Sequence, residues 1–453
     1  MTPEVADVNI NDIVDTVVQQ VTDRDLVAVS HTLTPLSVDE IVLVLERLSE
    51  QHRAVLYRLL QKDRALAVFE LLDPALQGDL LHGLQDSEVA EIFTGLDPDD
   101  RVWLLDELPS KVAPRLLKGL SAEERQVTSA LMGYPLGSIG RRMSPELIST
   151  KESYTVETTM ERVKRDLNEA ETIYLIPVID ESRHVIGVVS LRQVLGAEPG
   201  TLIGTLMQDP YTAVVTEKAE VVARRMADLT VNAMPIVDRE RRLVGIFTID
   251  DAVRILELED SEDAARQGGV EPLRRPYLST PISTLVNSRI VWLLVLAIGA
   301  TLTVQVLSVF EDTLAEVTVL ALFVPLLIGT GGNTGNQAAT TVTRALALDD
   351  VRTEDILKVI GREVRVGFLL GCMLGLIGFT ITGFIYDFKI GAVIGLTLIA
   401  VCTVAATIGG AMPIAAKAIK VDPAVFSNPF ITTFVDATGL VLYFLIARAI
   451  LQI

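Results

Sequence analysis

Hydrophobic positions along this chain fall into two regimes. Up to about Arg289, apolar residues come in short clusters broken by charge, as expected of elements that bury one face. Beyond it, four runs contain no charged residue: Ile290–Phe310, Val317–Thr343, Val366–Tyr386 and Ile390–Ala416. Each is long enough to cross a bilayer as a helix, which takes about 20 apolar residues. A fifth run, Pro423–Ala447, carries one charge, Asp436. Soluble cores rarely sustain such runs, so the pattern predicts five membrane helices with the two termini on opposite sides. Basic residues gather before the first run (Arg274, Arg275, Arg289), around the second connection (Arg344, Arg352, Lys358, Arg362, Arg365) and after the fourth run (Lys417, Lys420). Cytosolic loops carry that excess, which predicts a cytosolic N-terminus and an outside C-terminus in a multi-pass membrane protein. The start, MTPEVADVN, has no apolar stretch, so no cleavable signal peptide is expected.

The polar half is built from repeats. Phe69-x-x-Leu72-Asp73-Pro74 returns as Phe93-x-x-Leu96-Asp97-Pro98, and Leu117-x-x-Leu120-Ser121 follows at the same 24-residue step. An Asp or Ser before each helical pattern reads as an N-cap. Short helices at a fixed step predict an all-α solenoid over residues 1–137, a surface-bearing array. A longer repeat follows. Ile176-Pro177-Val178-Ile179-Asp180 and Val185–Ser190 return 58 residues later as Met234-Pro235-Ile236-Val237-Asp238 and Leu243–Thr248. Each unit reads as strand, polar turn, strand, helix, and two such units are expected to pair about a pseudo-twofold. This α/β pair is placed at 138–250. An acidic helix containing Glu257, Glu259, Asp260, Glu262 and Asp263 is placed at 251–275 and should end at Gly268-Gly269. Like charges within one turn destabilise a helix unless cations bind. The five-helix membrane domain is placed at 280–453.

Charge sharpens this division. The formal net charge is −20, and 48 acidic against 29 basic residues precede Val286, so nearly all of it lies in the soluble half. Such a surface repels nucleic acid and attracts cations. The two cysteines, Cys372 and Cys402, sit inside apolar runs and form no disulfide framework.

Polar groups inside a bilayer cost several kcal/mol unless satisfied, so they mark pathways. The second run holds Pro325 and then Gly329-Thr330-Gly331-Gly332-Asn333-Thr334-Gly335-Asn336-Gln337. Four glycines and a proline are expected to break or loosen that helix and to free carbonyls toward a water-filled cavity. The run is no P-loop, because no Gly-Lys-Ser/Thr follows. The fifth run holds Asn428-Pro429, Thr432-Thr433, Thr438 and, near its middle, Asp436. No Lys or Arg lies at mid-depth in another run, so a cation is the simplest partner for this carboxylate. The oxygen donors on offer, without His or Cys, disfavour soft transition metals and suit Mg2+. If two chains pair about a twofold axis, two Asp436 carboxylates face each other.

With those motifs in view, the chain resembles the MgtE family of Mg2+ channels and transporters over nearly its whole length. The stretches Pro325–Gln337 and Asp422-Pro423 to Gly439 carry the resemblance best, and the paired 58-residue units resemble tandem CBS domains. The resemblance implies a homodimer in the lipid bilayer with one Mg2+ pore along the twofold. Spans two and five would line it through Gly329, Asn333, Asn336, Gln337, Asn428, Thr432 and Thr433, with Asp436 as the ion-selecting aspartate. It also implies regulatory Mg2+ at Glu259, Glu262 and Asp263 of a plug helix, at Asp251 and Asp422, and at Asp97, Asp99 and Asp100. CBS pairs often bind adenine nucleotides, and the sequence does not decide whether this one does. Two departures stand out. Tyr134-Pro135-Leu136-Gly137-Ser138-Ile139-Gly140 has no acid, and Arg254 stands within the acidic stretch.

The expected mechanism follows from charge. Without cytosolic Mg2+, the acids of the N-domain, CBS units and plug helix repel one another and the pore opens; bound Mg2+ bridges them and stabilises the closed state. A secondary active divalent-cation transporter and a non-conducting Mg2+ sensor remain alternatives. An enzyme is not expected, since intramembrane aspartyl chemistry needs two carboxylates in one site and each chain offers a single mid-membrane Asp.

Overall fold

The computed structural model describes residues 9–108, 113–273, 275–348, 350–419 and 428–452. It divides into two compact units, one formed by the chain up to Glu259 together with 275–280, the other by Asp260–Leu273 and the chain from Pro281 on.

In the first unit, helices of about ten residues follow one another with two- or three-residue breaks, among them Lys62–Leu71, Pro74–Gly83, Asp86–Gly95 and Pro98–Glu107. Each 24-residue repeat is therefore a helix pair. Val68, Phe69, Leu72, Leu76, Leu80, Phe93, Leu96, Leu104, Leu116 and Leu120 form one continuous buried core through the stack. A second periodic signal, hidden in the polar residues, locks the pairs. Arg53, Gln77, Arg101 and Arg125, 24 residues apart, reach back to the carbonyls of Leu45, Phe69, Phe93 and Leu117 at 2.7–3.0 Å. Those carbonyls sit near helix ends, where the regular helical ladder runs out; Leu45 and Phe69 also accept from the cap N–H groups of Leu48 and Leu72. The N-cap expectation holds in position but only partly in chemistry. Ser121 forms a reciprocal capping box with Glu124, whereas the side chains of Asp73 and Asp97 make no capping bond.

The CBS repeats appear as expected, strand for strand. Leu175–Ile179 pairs antiparallel with Val185–Ser190, and Ala233–Val237 pairs with Leu243–Thr248, in matching register with Pro177 opposite Val188 and Pro235 opposite Ile246. Asp180 accepts from the backbone N–H groups of Ser182 and His184, and Asp238 accepts from those of Glu240 and Arg242. Arg183 and Arg241 both adopt positive φ, 67° and 65°, to close these turns. The turns meet each other. His184 bridges Arg242, and the N–H of Leu243 donates to the carbonyl of Arg183. Equivalent residues 58 apart in contact are what a pseudo-twofold requires.

In the second unit, five helices among the described residues are long and apolar enough to cross a membrane. Span one is Ile282–Val309, span two Val324–Ala347, span three Ile356–Ile385, span four Phe388–Ala418 and span five Asn428–Leu451. Span four is the most enclosed, with 56% of its apolar window buried, against 6% for span one. Spans three and four touch backbone to backbone through glycine. A Cβ on Gly371 would lie 2.6 Å from the Cα of Ile399, and one on Gly375 would lie 2.6 Å from the carbonyl of Gly395. Small residues let helices approach where lipid offers no hydrophobic drive to pack them.

Span two corrects one expectation. The glycines and Pro325 do not break it: Val324–Ala347 is one continuous α-helix. Pro325 stands in the first turn, where its missing N–H would have no intrahelical partner anyway. A short 3₁₀ segment, Thr318–Phe323, leads into it, pinned by the buried Tyr443 hydroxyl on the carbonyl of Leu320 at 2.8 Å. The glycines serve close approach instead. A Cβ on Gly409 would fall 2.1 Å from the carbonyl of Gly335, and one on Gly331 would strike Val401 and Val435 at 2.7 and 2.9 Å.

Candidate functional site

Because span two keeps its helical hydrogen bonds, its chemistry comes from side chains. Asn333, Asn336, Gln337, Thr340 and Thr341 lie on one face and line an open polar cavity of about 430 Å³. The spacing of three and four residues puts them there. Gly329, also named from the sequence, is exposed on the same helix, with open space where a side chain would be.

Span five packs against span two with Ile431 and Val435 over Gly335, and Thr432 over Gly332. The amide of Asn336 donates to the hydroxyl of Thr432 at 3.1 Å. Thr433 turns elsewhere: its methyl contacts Gly299 of span one, and its hydroxyl donates to the carbonyl of Pro429 at 2.9 Å. Asp436 stands one turn beyond Thr432 on the same face. Its Oδ1 is buried and has no hydrogen-bond partner among the described residues. A carboxylate oxygen held dry without a donor is costly unless a cation or proton joins it. The neighbouring donors are oxygens of hydroxyl and amide type, which fits a hard, hydrated divalent ion. The side chain of Asn428 and all of Asp422 lie outside the described residues.

The second group of acids lies in the first unit. Helix Pro98–Glu107 presents Asp99, Asp100, Trp103 and Asp106, spaced along one face. Asp99 is 6% exposed, and its Oδ1 has no partner among the described residues. Burial, and then the nearby carboxylates of Asp251, Asp100 and Glu171, hold its pKa well above the usual carboxylate range. Burial, and then Asp100, Asp250 and Glu171, push Asp251 up to about 7. Asp97 and Asp100 are raised too, chiefly by burial. The fold thus gathers Asp97, Asp99, Asp100 and Asp251 from two domains, and it adds two acids that sequence reasoning missed. Glu70 is pushed up to about 7 by burial and then by Asp100 and Asp97, and Glu171 to about 7 by burial and then by Asp97 and Asp250. Neither stands in a charged run or a turn motif that could have flagged it.

Arg254 answers the departure noted in the sequence. It donates to Asp100 at 3.4 Å and stacks on Trp103 with its guanidinium 4.2 Å from the ring centre. Arg142 covers the other face at 4.1 Å, so the indole is held between two cations. Arg141 and Arg142 both pair with Asp106.

The acidic helix runs Ile249–Gln267, beginning directly at the end of the last CBS strand. It stops as expected: Gly269 adopts φ +65°, and the N–H of Val270 reaches back to the carbonyl of Ala265. Glu259, Glu262 and Asp263 lie half-buried in its last turns, Glu262 paired with Arg266. The ring of Pro429, at the start of span five, packs on Gly269 so closely that a Cβ there would lie 2.9 Å from it. Among the described residues, no three His, Cys, Asp or Glu converge into a ready-made metal cage.

Five membrane-length helices with a buried carboxylate oxygen that has no partner among the described residues, in one chain with an acid-rich helical repeat and a CBS pair, fit a membrane transporter of a hard divalent cation. Residues 324–446 match the family described as divalent cation transporter, residues 36–137 the MgtE intracellular N domain, and residues 136–200 and 203–258 the CBS domain. The chain is 35% identical to the magnesium transporter MgtE of Thermus thermophilus across 95% of its own length and 96% of the relative's. It is 29% identical to the magnesium transporter MgtE of Bacillus subtilis across 95% and 94%. A solved cytosolic domain of the Mg2+ channel MgtE in complex with ATP is similar to 54% of this chain and is itself covered in full, at 31% identity and a TM-score of 0.50. The chain belongs to the MgtE family of magnesium transporters.

Proposed function

We propose that this protein is a channel through which Mg2+ enters a bacterial cell across the plasma membrane, and that cytosolic Mg2+ closes it. The observation that carries the reading is the buried Oδ1 of Asp436 in span five, which has no partner among the described residues. Two chains would pair about a twofold axis so that two such carboxylates face one hydrated ion, with Asn333, Asn336, Gln337 and Thr432 offering further oxygens. Mg2+ sheds water reluctantly, and a wide oxygen-lined path accepts it with its waters.

Regulatory Mg2+ would sit among Asp97, Asp99, Asp100 and Asp251, joined by Glu70 and Glu171, and on Glu259, Glu262 and Asp263. Ions held through their waters by one or two carboxylates each need no dense cage. By linkage, ions that bind the closed arrangement more tightly stabilise it. Arg254 already neutralises part of the charge at Asp100, so fewer ions are needed there. An adenine nucleotide at the CBS pair is a further expected ligand, supported by the ATP complex of the similar cytosolic domain. The domain limits proposed are 1–137, 138–250, 251–275 and 280–453. A coupled transporter would need a second titrating group in the path.

Mg2+ flux into proteoliposomes tests this reading. Asp436→Ala is expected to abolish flux while the dimer persists on a sizing column. Equal flux in both proteins would move the ion path away from span five.

A further inference from the structure

The segment 275–280 behaves unlike its neighbours. The residues before it, Asp260–Leu273, and after it, from Pro281 on, belong to the membrane unit, yet it belongs to the cytosolic one. Its turn Tyr277–Ser279 rests on helix Val38–Arg47 of the N-domain. Arg275 pairs with Asp79 at 2.7 Å. Asp79 also faces Arg53 at 3.6 Å. Arg53 is the first member of the arginine lattice and is 2% exposed, with its other nitrogens on the carbonyls of Leu45 and Leu48. One carboxylate therefore bridges the buried lattice of the repeat and a residue seven positions before the first membrane helix. The strap is stiff. Pro276 and Pro281 hold extended backbone at φ −52° and −58°, and the Thr280 hydroxyl donates to the carbonyl of Pro276 at 3.0 Å. Span one begins one residue after Pro281, at Ile282.

We propose that residues 275–280 are a tether by which the N-domain holds the leading end of span one directly, with the Arg53–Asp79–Arg275 triad as its latch. A displacement of the N-domain then reaches the membrane helices by two routes: through the CBS pair and acidic helix, and through this strap. A short, proline-bounded strap transmits such a displacement, whereas a flexible linker absorbs it. The inference rests on the gating by cytosolic Mg2+ proposed above.

The test uses the full-length protein in proteoliposomes. Arg275→Gln is expected to raise the Mg2+ concentration that halves flux by about fivefold or more, the size of an ordinary coupling between sites. Arg275→Lys should restore most of the sensitivity. Arg275 is one-third exposed, so the melting temperature should not move. In a background of Cys372→Ser and Cys402→Ser, Asp79→Cys with Arg275→Cys should form a disulfide in membranes that alters flux until it is reduced. Failure to cross-link overturns the tether whatever the gating. A cross-link without effect on flux overturns it too. Unchanged inhibition in Arg275→Gln does the same, provided the natural protein is inhibited. A natural protein that Mg2+ does not inhibit would overturn the gating reading instead, and the reversible effect of the disulfide on flux then decides the tether.

Discussion

The hydroxyl of Thr432 in span five accepts a hydrogen bond from the carboxamide of Asn336 in span two at 3.1 Å, one turn ahead of Asp436. It is a polar tie between two helices that otherwise meet through Gly331, Gly332 and Gly335. Thr432→Val keeps the shape and removes the acceptor, losing a hydrogen bond worth about 1 kcal/mol. Slower Mg2+ flux and a lower melting temperature are expected, and Thr432→Ser should recover both. Natural flux in the valine variant would show that the tie does not position the ion path.

Span packing gives a sharper expectation. A methyl on Gly409 would lie 2.1 Å from the carbonyl of Gly335, backbone against backbone, so spans two and four would have to part. Gly409→Ala is expected to abolish folded protein in the membrane. Gly329→Ala, where nothing lies within 4 Å, should be tolerated. Detergent-solubilised yield on a sizing column separates the two.

Trp103 lies between Arg142 and Arg254, 6% exposed. Trp103→Ala removes a buried aromatic and both stacking contacts, costing roughly 3–5 kcal/mol. The N-domain should then become sensitive to limited proteolysis near residue 135 even in Mg2+. Trp103→Phe should stay protected, since it keeps a ring between the guanidinium groups.

Acidity should stabilise the unit that holds the helical repeat and the CBS pair when Mg2+ is absent. Glu70 and Glu171 are pushed up to about 7 in the fold, against roughly 4.3 in an unfolded chain. A group with a raised folded pKa contributes stability that is complete below the unfolded value and is lost as pH rises through the folded one. The melting temperature should therefore fall between about pH 5 and pH 7.5. Millimolar Mg2+ should flatten that fall by binding the ionised carboxylates. A metal-free melting curve independent of pH would refute the crowding of acids around Glu171.

Much of the fold was legible in the sequence because its signals are local. An apolar run long enough to span a bilayer is stable there as a helix, and the four charge-free runs and the fifth with its single aspartate became five helices. The 58-residue repeat announced two strand–turn–strand units because Asp180 and Asp238 close equivalent turns with their own side chains. Gly268-Gly269 marked the end of the acidic helix because a positive φ is needed there. The 24-residue lattice of Arg53, Gln77, Arg101 and Arg125 was present in the sequence as well. It went unread because those residues differ in type and their partners are backbone carbonyls.

By itself, then, the sequence determined the membrane helices, the helical repeat, the CBS pair and the isolated aspartate, each through a pattern confined to a short stretch of chain. Only the tertiary structure decided what depends on distance between remote residues. It used the glycines of span two for contact rather than for a break, since the neighbouring helices needed that space. It turned Thr433 toward span one and Thr432 toward Asn336. It gathered Glu70 beside Asp97 and Asp100 and Glu171 beside Asp99, and set Arg275 against Asp79 across 196 residues of chain. Electrostatic energy depends on separation in space, and no period along the chain encodes it.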